Sequence, residues 1–481
     1  MRNKKIIKSA VRENRSDMLA NQNILKLILT MAAPAIFGNL SAAMYNIIDR
    51  MFVGRFVGRE ALGAIALLFP LVNITQALSL FMTIGGTAML SIQLGAKNPE
   101  KANKIFSNIV LQGIGTGLLL ATVYSTFAPD LVRMCGALPG TELYDLAVSY
   151  LRITGIGQMF LMCNMAFTSM IRAEGNIRYA MFASIAGNCM SIILDSILVA
   201  GMGMGIRGAG LSTLSAQFIS GLISILYFVR KKSVVHWSGF KVVHINFIGR
   251  IIMMGMAPSI LQGLSFISNT IISRSLMYYG NIELAAGGSL AISAVGVTAT
   301  VESFLLTVVM GVNQAISPII SYNYGAGSYS RVRKASLYGQ LIASIASIFV
   351  WGWMMLFPGS LFRIFANHDI ELISFGIGAM RTAKCVVFVL GFQTLSSMFF
   401  SALGKPKTAS FISLSRQGIF LIPALLIFPR LIGVQGVFWA SAFSDFCSVL
   451  IVGRIYFKEI QRMNKLTDKV SEKTMLAKSL L

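Results

Sequence analysis

The chain has 481 residues, of which 55% are hydrophobic and 12% charged, and its mean hydropathy is +0.71. A water-soluble fold of this size needs more polar surface than the sequence can provide, which excludes a soluble globular protein and places the chain in a lipid bilayer. The net charge of +23 raises nucleic acid as a partner, but the basic residues are distributed over alternate loops and not along one face, which excludes it.

Apolar runs of about 20 residues or more, rather than alternating ten-residue segments, predict helices and not a barrel. Between breakers they fall near 25–52, 62–93, 105–128, 143–170, 177–201, 208–229, 249–277, 284–318, 333–357, 370–401, 408–429 and 434–457, twelve in all. The breakers are Pro99, Pro129, Pro139, Gly175-Asn176, Gly203 to Gly205, Gly325 to Gly327, Pro358-Gly359 and Gly404-Lys-Pro406. The basic start, polar as far as Asn23, leads into a span too long for a signal peptide, so the first helix is expected to stay.

Helix 1 carries a stripe of Pro34, Gly38, Ser41, Tyr45 and Asp49, whose spacing of three or four places all five on one face. Helix 5 repeats the device with Asn188, Ser191 and Asp195. Helix 6 opens on Gly208-Ala-Gly-Leu-Ser-Thr213 and adds Gln217 one turn later. Ionisable groups within spans are costly and mark functional sites by default. Converging carboxylate, hydroxyl and amide oxygens suit a hard cation such as sodium, or a proton, because desolvation and a second carboxylate both favour the protonated form. The spacing leaves both ions open. It also leaves open a surface ion pair of Asp49 with Arg50 or Arg55, and a helix-packing hydrogen bond for Asp195.

Other intramembrane charges are Arg152, Arg274, Glu302, Arg381, Lys384, Arg416 and Asp445, for which structural pairing is expected: Glu302 with a basic neighbour, Asp445 with Arg454 or Arg416. One set of loops carries Arg2 to Arg15, Lys97 to Lys104, Arg172 and Arg178, Arg230 to Arg250, Arg331 to Lys334, Lys405 and Lys407, and the tail from Arg454 to Lys478. By the positive-inside bias these loops and both termini are cytoplasmic, and the tails act as orientation signals and anionic-lipid contacts. Cys135, Cys163, Cys189, Cys385 and Cys447 have no CxxC spacing, so neither a disulfide framework nor a metal cluster is indicated.

The halves repeat each other at an offset of about 225–230 residues. Leu94-Gly-Ala-Lys-Asn-Pro-Glu-Lys-Ala-Asn-Lys104 matches Tyr324-Gly-Ala-Gly-Ser-Tyr-Ser-Arg-Val-Arg-Lys334; Ala33-Pro34 recurs as Ala257-Pro258, Gly175 as Gly404, and Ala209-Gly210 as Gln435-Gly436. The expected organisation is a basic segment 1–24, a six-helix lobe 25–229, a linker 230–248, a second six-helix lobe 249–457 and a tail 458–481.

Ala33-Pro34 through Tyr45-Asn-Ile-Ile-Asp49-Arg-Met-Phe-Val-Gly54, Leu94-Gly-Ala96, Ile193-Leu-Asp195, Gln314-Ala-Ile-Ser-Pro318 to Tyr322-Asn-Tyr-Gly-Ala326, and Arg416-Gln through Pro423 together resemble the multidrug and toxic compound extrusion (MATE) family, in its bacterial MepA-like branch. The resemblance covers nearly the whole chain. It implies an all-α membrane protein of twelve helices in two pseudo-symmetric lobes around a central cavity that opens alternately to each side. It implies a cation site in the first lobe, with Asp49, Asp195, Thr213 and the helix 4 tyrosine Tyr150, and a helix 1 kink at Pro34. Ser191 departs from the family's asparagine four residues before the helix 5 aspartate; Asn188, one turn earlier, offers an amide in compensation. Between Pro258 and Ser273 the glutamate of some sodium-coupled members is missing, which favours a first-lobe site.

The function so implied is an antiporter that exchanges an inward-moving proton or sodium ion for amphipathic organic cations, with no cofactor. Aromatic faces such as Phe37, Tyr45 and Phe304 would line the substrate cavity. It would act as a monomer in the bacterial plasma membrane. The alternative in transport is a lipid-linked precursor flippase, for which Arg152, Arg274, Arg381 and Lys384 would make the cavity cationic. An intramembrane transferase is disfavoured, since no DDxxD or HExxH motif occurs and His236, His244 and His368 fall in loops.

Overall fold

A computed structural model describes residues 18–230, 233–239, 245–285, 287–365 and 369–479. The basic start from Arg2 to Arg15, together with Lys231, Lys232, Lys241, His244 and His368, lies outside the described residues. Nine helices cross a bilayer's thickness without interruption: α1 Ile24–Val57, α2 Phe69–Gly95, α3 Pro99–Thr126, α4 Glu142–Ala173, α5 Ile177–Gly201, α6 Gly205–Val229, α7 Asn246–Glu283, α8 Gly288–Gly325 and α9 Tyr329–Leu356. α10 is a pair, Ile370–Lys384 and Val387–Ala402, bent by 48°. The stretch Pro406–Asp468 is two helices, α11 and α12, because the backbone leaves helical geometry at Ile432 and Gly433. Gly433 has a φ of 57°, and a Cβ there would collide with the Glu283 carboxylate, which accepts from the Val434 amide at 3.0 Å. The described residues thus form twelve spanning helices.

The ends differ from the sequence expectation in one informative place. The sequence expectation ends helix 8 near residue 318, yet α8 runs on to Gly325 with Pro318 buried inside it. A proline removes one backbone hydrogen bond, but in a packed membrane bundle the neighbours re-satisfy the freed groups, so the helix continues. Four π segments, Val53–Val57, Phe81–Gly85, Asp195–Gly201 and Ser415–Leu421, carry no sequence signature. Two of them occupy matching places, in α5 and α11.

The helices form two lobes. In the first, α4 packs between α3 and α6, and α5 lies between α1 and α6. In the second, α7 packs on α11 and α12, and α9 on α8 and α10. The lobes meet through α1 with α8 and through α2 with α7 and α8. Lipid tails are as apolar as leucine, so small residues and hydrogen bonds hold such interfaces. Accordingly, Gly85 sits against the Ile251 carbonyl and Gly255 against Phe81, with no room for a Cβ.

Hydrogen bonds between the lobes join them both near the basic loops and farther along the helices. Farther along α2 and α7, Ser259 Oγ donates to the Ala77 carbonyl at 2.9 Å and Gln262 Nε2 to Asn73 Oδ1 at 3.4 Å. Gln314 Nε2 donates to Asn39 Oδ1 at 3.3 Å, while its own carbonyl oxygen accepts from Arg172 at 3.5 Å. Nearer the basic surface, Arg331 donates to Asn323 Oδ1 at 3.0 Å and to the Leu19 and Gln22 carbonyls at 3.2 and 2.8 Å. This arginine ties the chain entering α1 to the second lobe.

The segment after α6 is strapped to the first lobe by the buried Glu174. Its carboxyl accepts from Tyr227 OH at 2.8 Å, the Val234 amide at 2.9 Å, the Val235 amide at 3.2 Å and the Ser233 hydroxyl. The His236 amide bonds Asn103 at 2.8 Å and that of Ser238 bonds Ser107 at 3.0 Å.

Candidate functional site

The helix 1 stripe faces α5 and α6 along its length. Gly38 packs against Met181. Ser41 Oγ accepts from Asn188 Nδ2 at 3.4 Å, the Tyr45 hydroxyl lies 3.3 Å from Thr213 Oγ1, and the carboxyl of Asp49 meets that of Asp195. Pro34 lies inside the unbroken helix Ile24–Phe52, about 22 Å from Asp49 along the axis at 1.5 Å per residue.

Asp195 is the first residue of the π segment in α5 and is fully buried; Asp49 is 7% exposed. Ser191, one turn before Asp195, and Ser212 of α6 lie 2.9 Å apart. Ser212 also donates to the Ser191 carbonyl at 2.9 Å, so Ser191 must be the donor between the two hydroxyls. That loop locks α5 to α6 at the level of the carboxyls. Tyr150 of α4 lies beside Thr213.

The structure therefore brings together Asp49, Asp195, Tyr45, Thr213, Ser191 and Tyr150. Asn188 stands apart, two turns from Asp195 and engaged with Ser41. Gln217 turns to α4, its side-chain oxygen seated against Gly157. Phe37 and Phe304 are 64% and 50% exposed, on α1 and α8.

Asp49 Oδ1 and both carboxyl oxygens of Asp195 have no hydrogen-bond partner in the protein. Among the described residues no lysine or arginine pairs with either group. Arg50 turns to the Phe69 ring, 5.1 Å from its centre. Two facing carboxylates in a desolvated place, without a base, cost several kcal/mol each unless a cation neutralises them. A shared proton does so, and so does a hard metal ion ligated by the carboxyl and hydroxyl oxygens.

The second lobe uses the same positions differently. Gln417, in the π segment of α11, donates to Ser265 Oγ at 3.1 Å and accepts from Ser268 Oγ at 3.0 Å, which joins α7 to α11 as Ser41 and Asn188 join α1 to α5. No carboxylate follows on α7 as far as Glu283. Its charges are compensated internally: Lys384 Nζ lies 2.6 Å from Glu302, Arg416 Nε 2.8 Å from Asp445, and Arg416 also reaches Glu302 at 3.9 Å. The sequence left Asp445 between Arg454 and Arg416, and the structure selects Arg416. Arg152, Arg274 and Arg381 are exposed.

Ser265 and Ser268 escaped the sequence reading, which quoted Ser212 and Gln417 only as members of longer motifs. Only the pseudo-repeat, carried down to single residues, could have marked Ser265 as the counterpart of Ser41.

Comparison with known proteins agrees with this architecture. A sequence profile of the MatE family matches residues 34–197 and 258–426, one stretch in each lobe. The multidrug export protein MepA of Staphylococcus haemolyticus is 25% identical over 457 residues, covering 93% of this chain and 96% of that protein. Among solved structures, an outward-facing multidrug resistance MATE family transporter of the MOP superfamily superposes with a TM-score of 0.84 at 21% identity, over 93% of this chain and 98% of that one. A MOP superfamily transporter from Pyrococcus furiosus, described as having a binding pocket of reverse polarity, also gives 0.84, at 20% identity and the same coverage. The chain belongs to the MatE family, and within it is similar to the MepA proteins.

Proposed function

We propose that the chain is an antiporter of the bacterial plasma membrane that exports amphipathic organic cations in exchange for a proton or a sodium ion. The observation that carries this reading is the Asp49–Asp195 pair: buried, facing, and without a basic partner among the described residues. An incoming cation neutralises the pair, and the hydroxyls of Tyr45, Thr213 and Ser191 complete an oxygen shell. Because the stripe joins α1 to α5 and α6, loading the pair tightens α1 on the first lobe, while the inner half of α1 shares a buried core with α8.

The inter-lobe contacts near the basic loops fit a state open to the opposite side, and alternating access follows if cation and substrate favour different states. An ion shifts such an equilibrium only by its differential affinity, and about 1.4 kcal/mol gives a tenfold change. The name borne by the staphylococcal relatives, multidrug export protein, supports the substrate class. The pairing of Lys384 with Glu302 weighs against a cavity built for phosphate.

The test is efflux of a fluorescent organic cation from cells, with the proton and sodium gradients collapsed separately. Collapse of the coupling gradient stops efflux under this reading. Efflux that survives loss of both gradients contradicts it.

A further inference from the structure

An open cavity of about 960 Å³ lies on the basic side of the second lobe, far from the carboxyl pair, where the turn between α10 and α11 meets the extension of α12. Its α12 wall presents Lys458, Arg462 and Lys465, whose spacing of four and three residues puts them on one helix face. The turn contributes Lys405, and the start of α11 contributes Lys407. The acidic residue of the lining, Glu459, is already engaged by Lys405 at 2.5 Å and by Arg462 at 3.9 Å. Lys407, Lys458 and Lys465 have no carboxylate partner among the described residues. The remaining lining is Thr408, Gln461 and an apolar part formed by Phe411 and Ile455, with the buried Phe400 behind them.

The start of α11 reinforces this. In the first lobe, Asn176 caps α5 by accepting from the Tyr179 amide at 3.4 Å. At the matching place α11 has Lys405, which gives no side-chain cap, so the first amides of α11 open beside Lys407 and Thr408 at the cavity. An added cation and an uncapped helix end both favour an anion there.

We propose that this cavity binds the phosphate of an anionic phospholipid headgroup, with the acyl chains lying along Phe411 and Ile455. Charge complementarity selects the ligand class, since basic pockets between helices at the membrane surface hold anionic headgroups. The apolar wall distinguishes a lipid from free phosphate, which would gain nothing from it.

The test uses the full chain purified in detergent, with the thermal unfolding midpoint followed during titration with phosphatidylglycerol, phosphatidylcholine or inorganic phosphate. Phosphatidylglycerol is expected to stabilise the protein saturably and the other two are not. The triple variant Lys407→Gln, Lys458→Gln, Lys465→Gln is expected to raise the half-saturating concentration at least about tenfold, at roughly 1 kcal/mol per basic residue. A control with the same charge loss on the same side, Lys97→Gln, Lys101→Gln, Lys334→Gln, is expected to stay within about twofold. Should the triple variant not purify, each single variant carries the test with a change of about fivefold. Equal affinity in the triple variant and the control overturns the site. An equal effect of inorganic phosphate overturns the lipid as its ligand.

Discussion

Gly95 and Gly325 make reciprocal contacts across the two lobes. A Cβ on Gly95 would collide with the Tyr322 carbonyl, and a Cβ on Gly325 with the Ile92 carbonyl; Gly95 and Gly325 are 230 residues apart, and so are Ile92 and Tyr322. The repeat seen in the sequence is thus a physical pseudo-symmetry at the lobe interface, with α2 and α8 as the paired elements. Gly95→Val or Gly325→Val is expected to cost the closed basic side about 1–3 kcal/mol, the range for overpacking. Thermal unfolding in detergent should register it, and the two variants should behave alike. An unchanged midpoint in either would show that the backbones yield without cost.

Arg331 closes the same side by polar means. Its three bonds to Asn323, Leu19 and Gln22 join the first turn of α9 to the end of α8 and to the chain entering α1. Arg331→Lys keeps the charge but loses the planar fork, so the substitution is not conservative here. It is expected to increase labelling of a cysteine introduced at Gln22 from the basic side, with Arg331→Ala stronger. Labelling equal to that of the parent protein would remove the clasp from the account.

The charge quartet of the second lobe predicts non-additive substitutions. Lys384→Met leaves Glu302, 17% exposed, with only the 3.9 Å contact to Arg416, and is expected to cost about 3–5 kcal/mol. Adding Glu302→Gln should recover a large part of that loss, because the pair itself is worth little net once desolvation is counted. A double variant as unstable as the sum of the two singles contradicts the pairing.

Glu174 gives a pH dependence outside the membrane. Burial raises its carboxyl above the ordinary value of 4.5, against hydrogen bonds from Ser233, Tyr227, Val235 and Val234 that lower it. Its contribution to stability is therefore fully present below about 4.5, the value in the unfolded chain, and is lost as pH rises through the raised folded value. The unfolding midpoint of the protein should fall with pH across that window, and the slope should be shallower in Glu174→Gln. A parallel slope in the variant would assign the dependence to other groups.

The sequence made the carboxyl pair legible because burying charge is expensive enough to be meaningful at single residues. The stripe of α1 was legible because helical spacing projects Ser41, Tyr45 and Asp49 onto one face. The Ser191–Ser212 loop was not, because it depends on which neighbour α5 meets. Nor was the Arg331 clasp, two of whose acceptors are backbone carbonyls more than 300 residues away in the chain. The end of helix 8, expected near residue 318, fell short for a related reason: α8 is enclosed by other helices, and Pro318 stays inside it.

The central claim is that Asp49 and Asp195 hold the coupling cation until an organic cation takes its place in the cycle. It is tested most directly by adding tetraphenylphosphonium to purified protein in weakly buffered detergent solution and recording released protons and displaced sodium. The account predicts release of one of these ions as the organic cation binds, and loss of that release in both Asp49→Asn and Asp195→Asn. Undiminished release in the two variants, or substrate binding by the parent protein with no cation released, would contradict it.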